Sequence, residues 1–449
     1  MIPAESFWTH SLRKLPEGRA ITRILAAAIQ AVEPGEAVRR YVHRQEDTLT
    51  IAGLSYDLSA FSRVHLLGIG KASLPMAEAL AELVGHHLID GLVVTKHSPM
   101  ASQFPFPIIQ GGHPVPDERS LLAGTKVIEF VSGLRPDDLL FCLISGGGSS
   151  LVTAPAEGVT LADMQLLTSE LLSCGARIDE INLLRRHLDR VKGGGLTVFA
   201  NHATIVSLIL SDVVGNPLEA IASGPTAPDP MTKADARAVI AKYNLRGVIP
   251  ASIKVVLDNS SETPKPDDLI FENVQNVLVG SNLLAAQAAL RQATEESFHP
   301  YLMRTDLQGE ARETAFELAT FLRQASRTGN PIPCPACIVA GGETTVTLTG
   351  TGKGGRNTEL ALAAVNELAD FPNVMLVSLA TDGEDGPTDA AGAVVTGDTF
   401  RRATGLGLHG GEYLEQNDSY SFFASLDDLL KTGPTETNVN DLIFLFAFQ

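Results

Sequence analysis

Short runs of consecutive apolar residues recur along this chain, each closing in a glycine-bearing turn and followed by helical spacing. Val64-His65-Leu66-Leu67 enters Gly68-Ile69-Gly70-Lys71-Ala72-Ser73 and a predicted helix over residues 75–84. Residues 139–144 enter Ser145-Gly146-Gly147-Gly148-Ser149-Ser150, and Val277-Leu278-Val279 enters Gly280-Ser281-Asn282 and an Ala- and Leu-rich helix over 283–296. Strands that are apolar throughout, rather than alternating, are buried on both faces, as in parallel sheets covered by helices. The pattern predicts an α/β protein. Upstream, apolar positions at spacings of three and four predict a helical stretch over residues 21–42.

Turn residues crowd Gly224-Pro225-Thr226-Ala227-Pro228-Asp229-Pro230, which marks an expected domain boundary. Helical patterns resume at 234–243 and 283–296. A distinct C-terminal stretch is expected from Thr344-Thr345-Val346-Thr347-Leu348-Thr349, read as a strand, followed by a helix over 357–368 and a strand over 374–379. The expected division is therefore 1–235, a connecting α/β segment 236–330, and 331–449, as two lobes with a cleft between them.

The length of 449 residues allows two or three domains. A formal charge of −18 disfavours nucleic acid and anionic membranes as partners, since both bind through excess Lys and Arg. No apolar run is long enough for a membrane span, and the N-terminus lacks a signal-peptide pattern, so the expected location is cytoplasmic. Four cysteines fit a reducing compartment, and Cys334-Pro335-Ala336-Cys337 lacks the second half of a zinc site.

The glycine turns carry the candidate chemistry. Ser145-Gly146-Gly147-Gly148-Ser149-Ser150 offers a backbone nest and hydroxyls for phosphate oxygens, where a plain flexible turn is the rival reading. Gly68-Ile69-Gly70-Lys71-Ala72-Ser73 departs from a dinucleotide fingerprint: Ser73 replaces the third glycine, and the next strand ends in Thr95-Lys96 instead of a ribose-binding acid. The same turn also fails the P-loop spacing. Lys71, beside a helix start, suits a phosphate or carboxylate. Arg356, in Gly354-Gly355-Arg356-Asn357, opens a predicted helix against the macrodipole, so it is either a solvated surface group or an anion clamp.

Asp212 and Asp385 follow apolar runs and read equally as turn acids, magnesium ligands or a base for a hydroxyl; Asp382, Glu384 and Asp389 are weaker candidates. Lys192-Gly193-Gly194-Gly195 is either a helix C-cap or part of the anion site. His113 and His187 lack metal-ligand spacing, and no Gly-x-Ser-x-Gly elbow appears in a strand–turn–helix setting.

Taken in order, these segments resemble the glycerate 2-kinase family, sometimes labelled hydroxypyruvate reductase. The likeness runs through Gly68–Ser73 as written above, residues 145–151, Arg186-His187-Leu188 with 192–196, Ser211-Asp212-Val213-Val214-Gly215 and Ser223-Gly224-Pro225-Thr226. It continues in Gly341-Gly342-Glu343-Thr344-Thr345, 354–359, 381–389 and Thr432-Gly433-Pro434-Thr435, with Glu436 as a departure where the family often has glycine. The resemblance implies a Rossmann-like N-terminal domain facing a MOFRL domain across the cleft. It also implies transfer of the ATP γ-phosphoryl to the 2-hydroxyl of D-glycerate with Mg2+.

Within that frame Lys71 and Arg356 match the family's basic pair, with Asp212 as the third catalytic candidate. Ser145, Gly146, Gly147, Gly148, Ser149, Lys192 and Asn282 are expected at the ATP phosphates, and Glu343, Asp382 and Asp385 in a substrate or magnesium loop. Asp212 and Asp385 are the expected metal ligands, and a homo-oligomer is left open. The rivals are an NAD(P)H-dependent hydroxypyruvate reductase and a sugar-phosphate-binding module.

Overall fold

The computed structural model describes residues 2–97 and 102–449. The chain forms two compact units: Pro34–Val279, and the first 33 residues together with Gly280–Gln449.

In the unit Pro34–Val279, a small antiparallel sheet of β1 (Val42–Gln45), β2 (Thr48–Ile51) and β3 (Leu54–Asp57) precedes a six-stranded sheet. The larger sheet contains β4 (Arg63–Ile69), β5 (Leu88–Thr95), β6 (Ile108–Gln110), β7 (Asp138–Ile144), β8 (Thr204–Leu210) and β9 (Val274–Gly280) in the order β6-β5-β4-β7-β8-β9. The pairs β4–β5, β4–β7, β5–β6 and β7–β8 all run parallel. Every residue of β7 is buried, because helices cover both faces. Ala123, Val127 and Val131 of helix Glu118–Ser132 close one side with Leu196. Helix Ser73–Val84 packs on the sheet as well. Four further helices, Leu161–Ser173, Ile178–His187, Lys233–Lys242 and Ala251–Asn259, bury a separate cluster that includes Leu171, Leu184, Ile240 and Ile253.

The other unit holds a mixed sheet of β10 (His299–Leu307), β11 (Ala336–Gly342), β12 (Val374–Ala380), β13 (Gly392–Thr396), β14 (Leu429–Leu430) and β15 (Asp441–Ala447). Its order is β10-β11-β15-β12-β13-β14, so the last strand enters the centre of the sheet, antiparallel to both β11 and β12. Helices Ala311–Thr328 and Arg356–Glu367 pack on it through Ala315, Leu318, Leu322, Leu360 and Ala364.

The expected division at 235 and 330 does not match these units. The turn-rich stretch at 224–230 is a loop whose Gly224, Pro225, Thr226, Ala227 and Asp229 are all buried inside the first unit. Its composition marks a change of chain direction, not a linker. At the N-terminus one predicted helix over 21–42 is two, Gly18–Gln30 and Pro34–Tyr41. The first buries Ile21, Ile24, Leu25 and Ile29 and packs along helix Asn282–Glu295, with Arg23 donating to both oxygens of Glu296 at 2.5 Å. That packing assigns the N-terminal residues to the C-terminal unit. Residues 344–349, read as a strand, hold only an isolated bridge between Thr345 and Glu310. Cys334 and Cys337 are free, and the pair leads into β11.

Candidate functional site

Numbered within their own sheet, β4 to β9 lie in the order 3-2-1-4-5-6, so the chain changes direction of winding between β4 and β7. Loops leaving neighbouring strands at such a switch point diverge, and a crevice opens at the carboxyl ends. The two loops here are Gly70-Lys71-Ala72 and Ser145-Gly146-Gly147-Gly148. They are stitched together: Lys71 N donates to Gly146 O at 3.0 Å, and Ala72 N donates to Ser145 Oγ at 3.0 Å. Gly70 adopts φ +133°, and a Cβ there would lie 2.2 Å from Ser145 Oγ, so no other residue fits.

The N–H groups of Gly146, Gly147, Gly148 and Ser149 donate no hydrogen bond to any described residue. Four adjacent backbone donors without acceptors form a nest of the kind that can take an anion. The flanking hydroxyls are committed elsewhere: Ser145 Oγ serves Ala72, Ser149 Oγ pairs with Ser223 Oγ at 2.8 Å, and Ser150 Oγ donates to Gly147 O. Lys71 is exposed and has no ion-pair partner among the described residues; its Cε and the ring of His113 both flank Gly147, each 3.1 Å from where a Cβ would project. Burial, reinforced by Lys71, Lys96 and His97, pushes His113 down to about 4, which keeps the ring neutral at physiological pH. Asp212 leans over the same loop, its Oδ2 only 2.0 Å from the position a Cβ on Gly146 would take. Nest, lysine, neutral histidine and carboxylate thus meet at one switch point.

Lys192 does not join them. Its ammonium is buried, donating to Val152 O and paired with Asp189, and burial lowers its pKa against the pull of that carboxylate. The glycines after it are not a helix cap either, since helix Ile178–His187 is capped by Leu188. They brace a strained segment. Ala222, Ser223 and Gly224 all have positive φ, at 50°, 61° and 61°. Gly193 N and Gly194 N donate to the carbonyls of Ser223 and Gly224 at 2.9 and 2.7 Å. Left-handed backbone costs roughly 1–2 kcal/mol at each non-glycine residue, and what it achieves here is to set Ser223 against Ser149.

In the other unit, Arg356 opens its helix as predicted but is not solvated. Nε and Nη2 donate to the two oxygens of Asp441 at 2.6 and 3.1 Å, and Nη1 donates to Glu343 at 2.6 Å. Asp441 is buried and Glu343 exposed. Burial lifts Asp441 to about 7 despite the guanidinium. Burial also works against the charge of Arg356, but its two carboxylates outweigh it and raise the pKa. Strand register explains the meeting. Asp441, first in β15, sits opposite Gly342 at the end of β11 and Ala380 at the end of β12, next to the loops bearing Glu343 and Asp382. Nothing local in the sequence signalled Asp441, because it lies 85 positions from Arg356 at the head of an apolar strand.

Asp385 is a structural anchor. It accepts from Asn357 N, Thr358 N and Thr358 Oγ1 at 2.8–2.9 Å and from Asn357 Nδ2 at 3.3 Å, capping helix Arg356–Glu367. Both oxygens are taken and buried, so it does not fit a metal. Asn282 is likewise turned inward, donating to Val439 O and Asp441 O at 3.0 and 2.8 Å. Asp382 is half-buried and accepts from Glu384 N at 3.1 Å.

A Rossmann-ordered sheet with an anion-binding nest at its switch point places the chain among the phosphate-handling α/β proteins. Residues 20–258 match a family model described as a domain of unknown function, DUF4147, and residues 336–441 match the MOFRL family. The chain is 38% identical to a glycerate 2-kinase of Pyrococcus horikoshii over 94% of its own length and 95% of the relative's. It is 40% identical to a D-glycerate 2-kinase of Thermotoga maritima, covering 97% and 99%. A solved structure of glycerate kinase from Thermotoga maritima superposes with a TM-score of 0.86 at 40% identity over 96% of this chain and 99% of that one. A protein of Agrobacterium vitis named as a hydroxypyruvate reductase is 41% identical over 85% and 86%. The chain belongs to the glycerate 2-kinase family.

Proposed function

We propose that this protein transfers the γ-phosphoryl group of ATP to the 2-hydroxyl of D-glycerate, giving 2-phospho-D-glycerate. The observation that carries the reading is the set of four acceptor-free N–H groups at Gly146–Ser149 positions beside Lys71, in a chain of this family. Phosphoryl transfer needs positioned charge far more than a covalent nucleophile. The nest holds triphosphate oxygens, and Lys71 neutralises the group in flight. Arg356 takes an anion on the edge that Glu343 now occupies, while buried Asp441 keeps hold of the other edge. An exposed carboxylate exchanges more readily than a buried one held by two bonds.

Of the two expected metal ligands, only Asp212 fits Mg2+, since Asp385 has no oxygen to spare. When bound, the ion offsets charge on the phosphate oxygens. The same carboxylate of Asp212 is suited to receive the hydroxyl proton of glycerate. The reductase alternative is disfavoured because β5 ends in Thr95, followed by Lys96, where a nicotinamide cofactor's ribose wants an acid.

The test combines purified protein, D-glycerate, ATP and Mg2+ and couples product formation through enolase without phosphoglycerate mutase. Signal requiring all components supports the 2-kinase. Signal only after mutase is added means 3-phosphoglycerate. NADH oxidation on hydroxypyruvate, with silence in both kinase formats, would overturn the reading.

A further inference from the structure

Away from the switch point, the unit Pro34–Val279 carries a second cluster of donors. We propose that Asp47, His86 and His87 form a surface site for a divalent transition metal of the Zn2+ type. One donor atom from each lies within 4.8 Å of the others. His87 Nε2 is 2.8 Å from Asp47 Oδ1, and the two imidazole rings are 4.2 Å apart between centroids. Two imidazole nitrogens and a carboxylate oxygen are the ligand set of zinc sites with an open position, whereas Mg2+ and Ca2+ ask for oxygen alone. Donors bound tetrahedrally at 2.0–2.2 Å stand about 3.4 Å apart. Separations of no more than 4.8 Å therefore call for at most about 1.4 Å of closure, within reach of side-chain rotation at residues as exposed as Asp47 and His86.

The framework around the cluster is already ordered. Asp47 lies in the turn between β1 and β2, and the histidines occupy the single helical turn Gly85–His87 after helix Ser73–Val84. Arg44 ties these pieces together: Nε donates to Glu46 O at 2.6 Å, and Nη1 donates to Leu83 O and Val84 O at 2.8 and 3.2 Å. Gly85, at φ +63°, lets the chain turn there, and a Cβ would come within 2.9 Å of Arg44 Nη1. Leu58 N donates to Asp47 O at 2.8 Å and fixes the other side of the hairpin. The ligand-bearing backbones thus need no folding on binding. Arg44 also has a cost for the site: its Nη2 stands 3.7 Å from Asp47 Oδ1, and a bound cation must outcompete that charge. The site is accordingly a structural clip joining the hairpin to the end of helix Ser73–Val84, not part of the phosphoryl-transfer machinery.

The experiment is a titration of untagged, EDTA-stripped full-length protein with Zn2+ by calorimetry and with Co2+ by visible absorption, both in excess Mg2+ to mask hard-oxygen sites. One metal per chain is expected, with tetrahedral Co2+ bands and a melting temperature that climbs with Zn2+ until saturation. His86→Ala, His87→Ala and Asp47→Asn are each expected to weaken binding by at least about tenfold, the smallest loss found even for outer partners of metal ligands. Their metal-free melting curves check folding, and Asp47→Asn keeps an acceptor for His87. Absence of binding at millimolar Zn2+, or equal binding by the parent and His86→Ala, would overturn the proposal.

Discussion

Arg356 shows how a single side chain is held in one orientation by two carboxylates. Three of its N–H groups are held by carboxylates, two by buried Asp441 and one by exposed Glu343. Asp441 is then the residue that aims the guanidinium, and its ionisation is set near neutrality at about 7. Asp441→Asn should lower kcat/KM by about 10- to 100-fold, the range for groups that orient a functional residue. Activity of the parent should also rise as pH increases through 7, and the variant should lack that rise; pH–rate profiles of both check this. Stability moves the other way. Between 3.8 and about 7 the folded chain binds the Asp441 proton more tightly than the unfolded chain, so this group's contribution to stability is lost as pH rises through 7. The advantage of the parent over Asp441→Asn in denaturant melts should shrink from pH 4 to pH 8. Lys71→Ala should lower kcat by about 10³-fold, as for other cations at a transferring phosphoryl group, and Arg356→Ala should also lower turnover, both with unchanged circular dichroism. Near-parental turnover in both would remove the two-cation mechanism.

At the scale of elements, the loop after β7 has no side chains where its backbone N–H groups are left open, as the proposed phosphate nest requires. A methyl on Gly146 would sit 2.0 Å from Asp212 Oδ2 and push the carboxylate off the loop. Gly146→Ala should therefore reduce kcat by about 100-fold, the effect of a displacement near 1 Å. The melting temperature should change by only a few degrees, because Asp212 is half-buried and not part of the core. Steady-state kinetics and a thermal melt on the same sample separate the two effects. The glycine run after Lys192 has a different duty, holding Ala222 and Ser223 in left-handed backbone. Two glycine-rich turns that look alike in sequence thus do unlike work: one leaves its N–H groups open and the other spends them on a neighbouring loop.

At the scale of the whole molecule, the N-terminal helix Gly18–Gln30 is structurally part of the C-terminal unit. Ile21, Ile24, Leu25 and Ile29 are buried, and at about 1.5 kcal/mol or more each their burial is worth about 6 kcal/mol at the low end. That is comparable to the full stability of many domains. A chain lacking residues 1–33 should melt at a markedly lower temperature or aggregate, and differential scanning calorimetry would show it. Among the described residues no helix is long and apolar enough to cross a membrane, in line with the hydropathy of the sequence.

The sequence alone determined what depends on near neighbours. Apolar runs ending in glycine turns announced β4, β7 and β9 with their loops, and the order of those motifs carried the family. It also offered Lys71, Asp212, Arg356 and the 145–149 turn as candidates, because a charged residue or a glycine run at a strand–helix turn is a local feature. It misjudged what depends on burial and pairing. Lys192, Asp385 and Asn282 were read as ligand-facing, and the fold turned each inward, since a strand–helix turn specifies where a residue is and not which way it points. The turn at 224–230, read as a boundary, lies inside one compact unit, and the N-terminal helix packs with the other, because membership of a unit is decided by which apolar faces meet. Only the tertiary structure brought Asp441 to Arg356: antiparallel insertion of the last strand between β11 and β12 set the head of β15 beside two strand ends, and register over that distance leaves no trace in the local sequence.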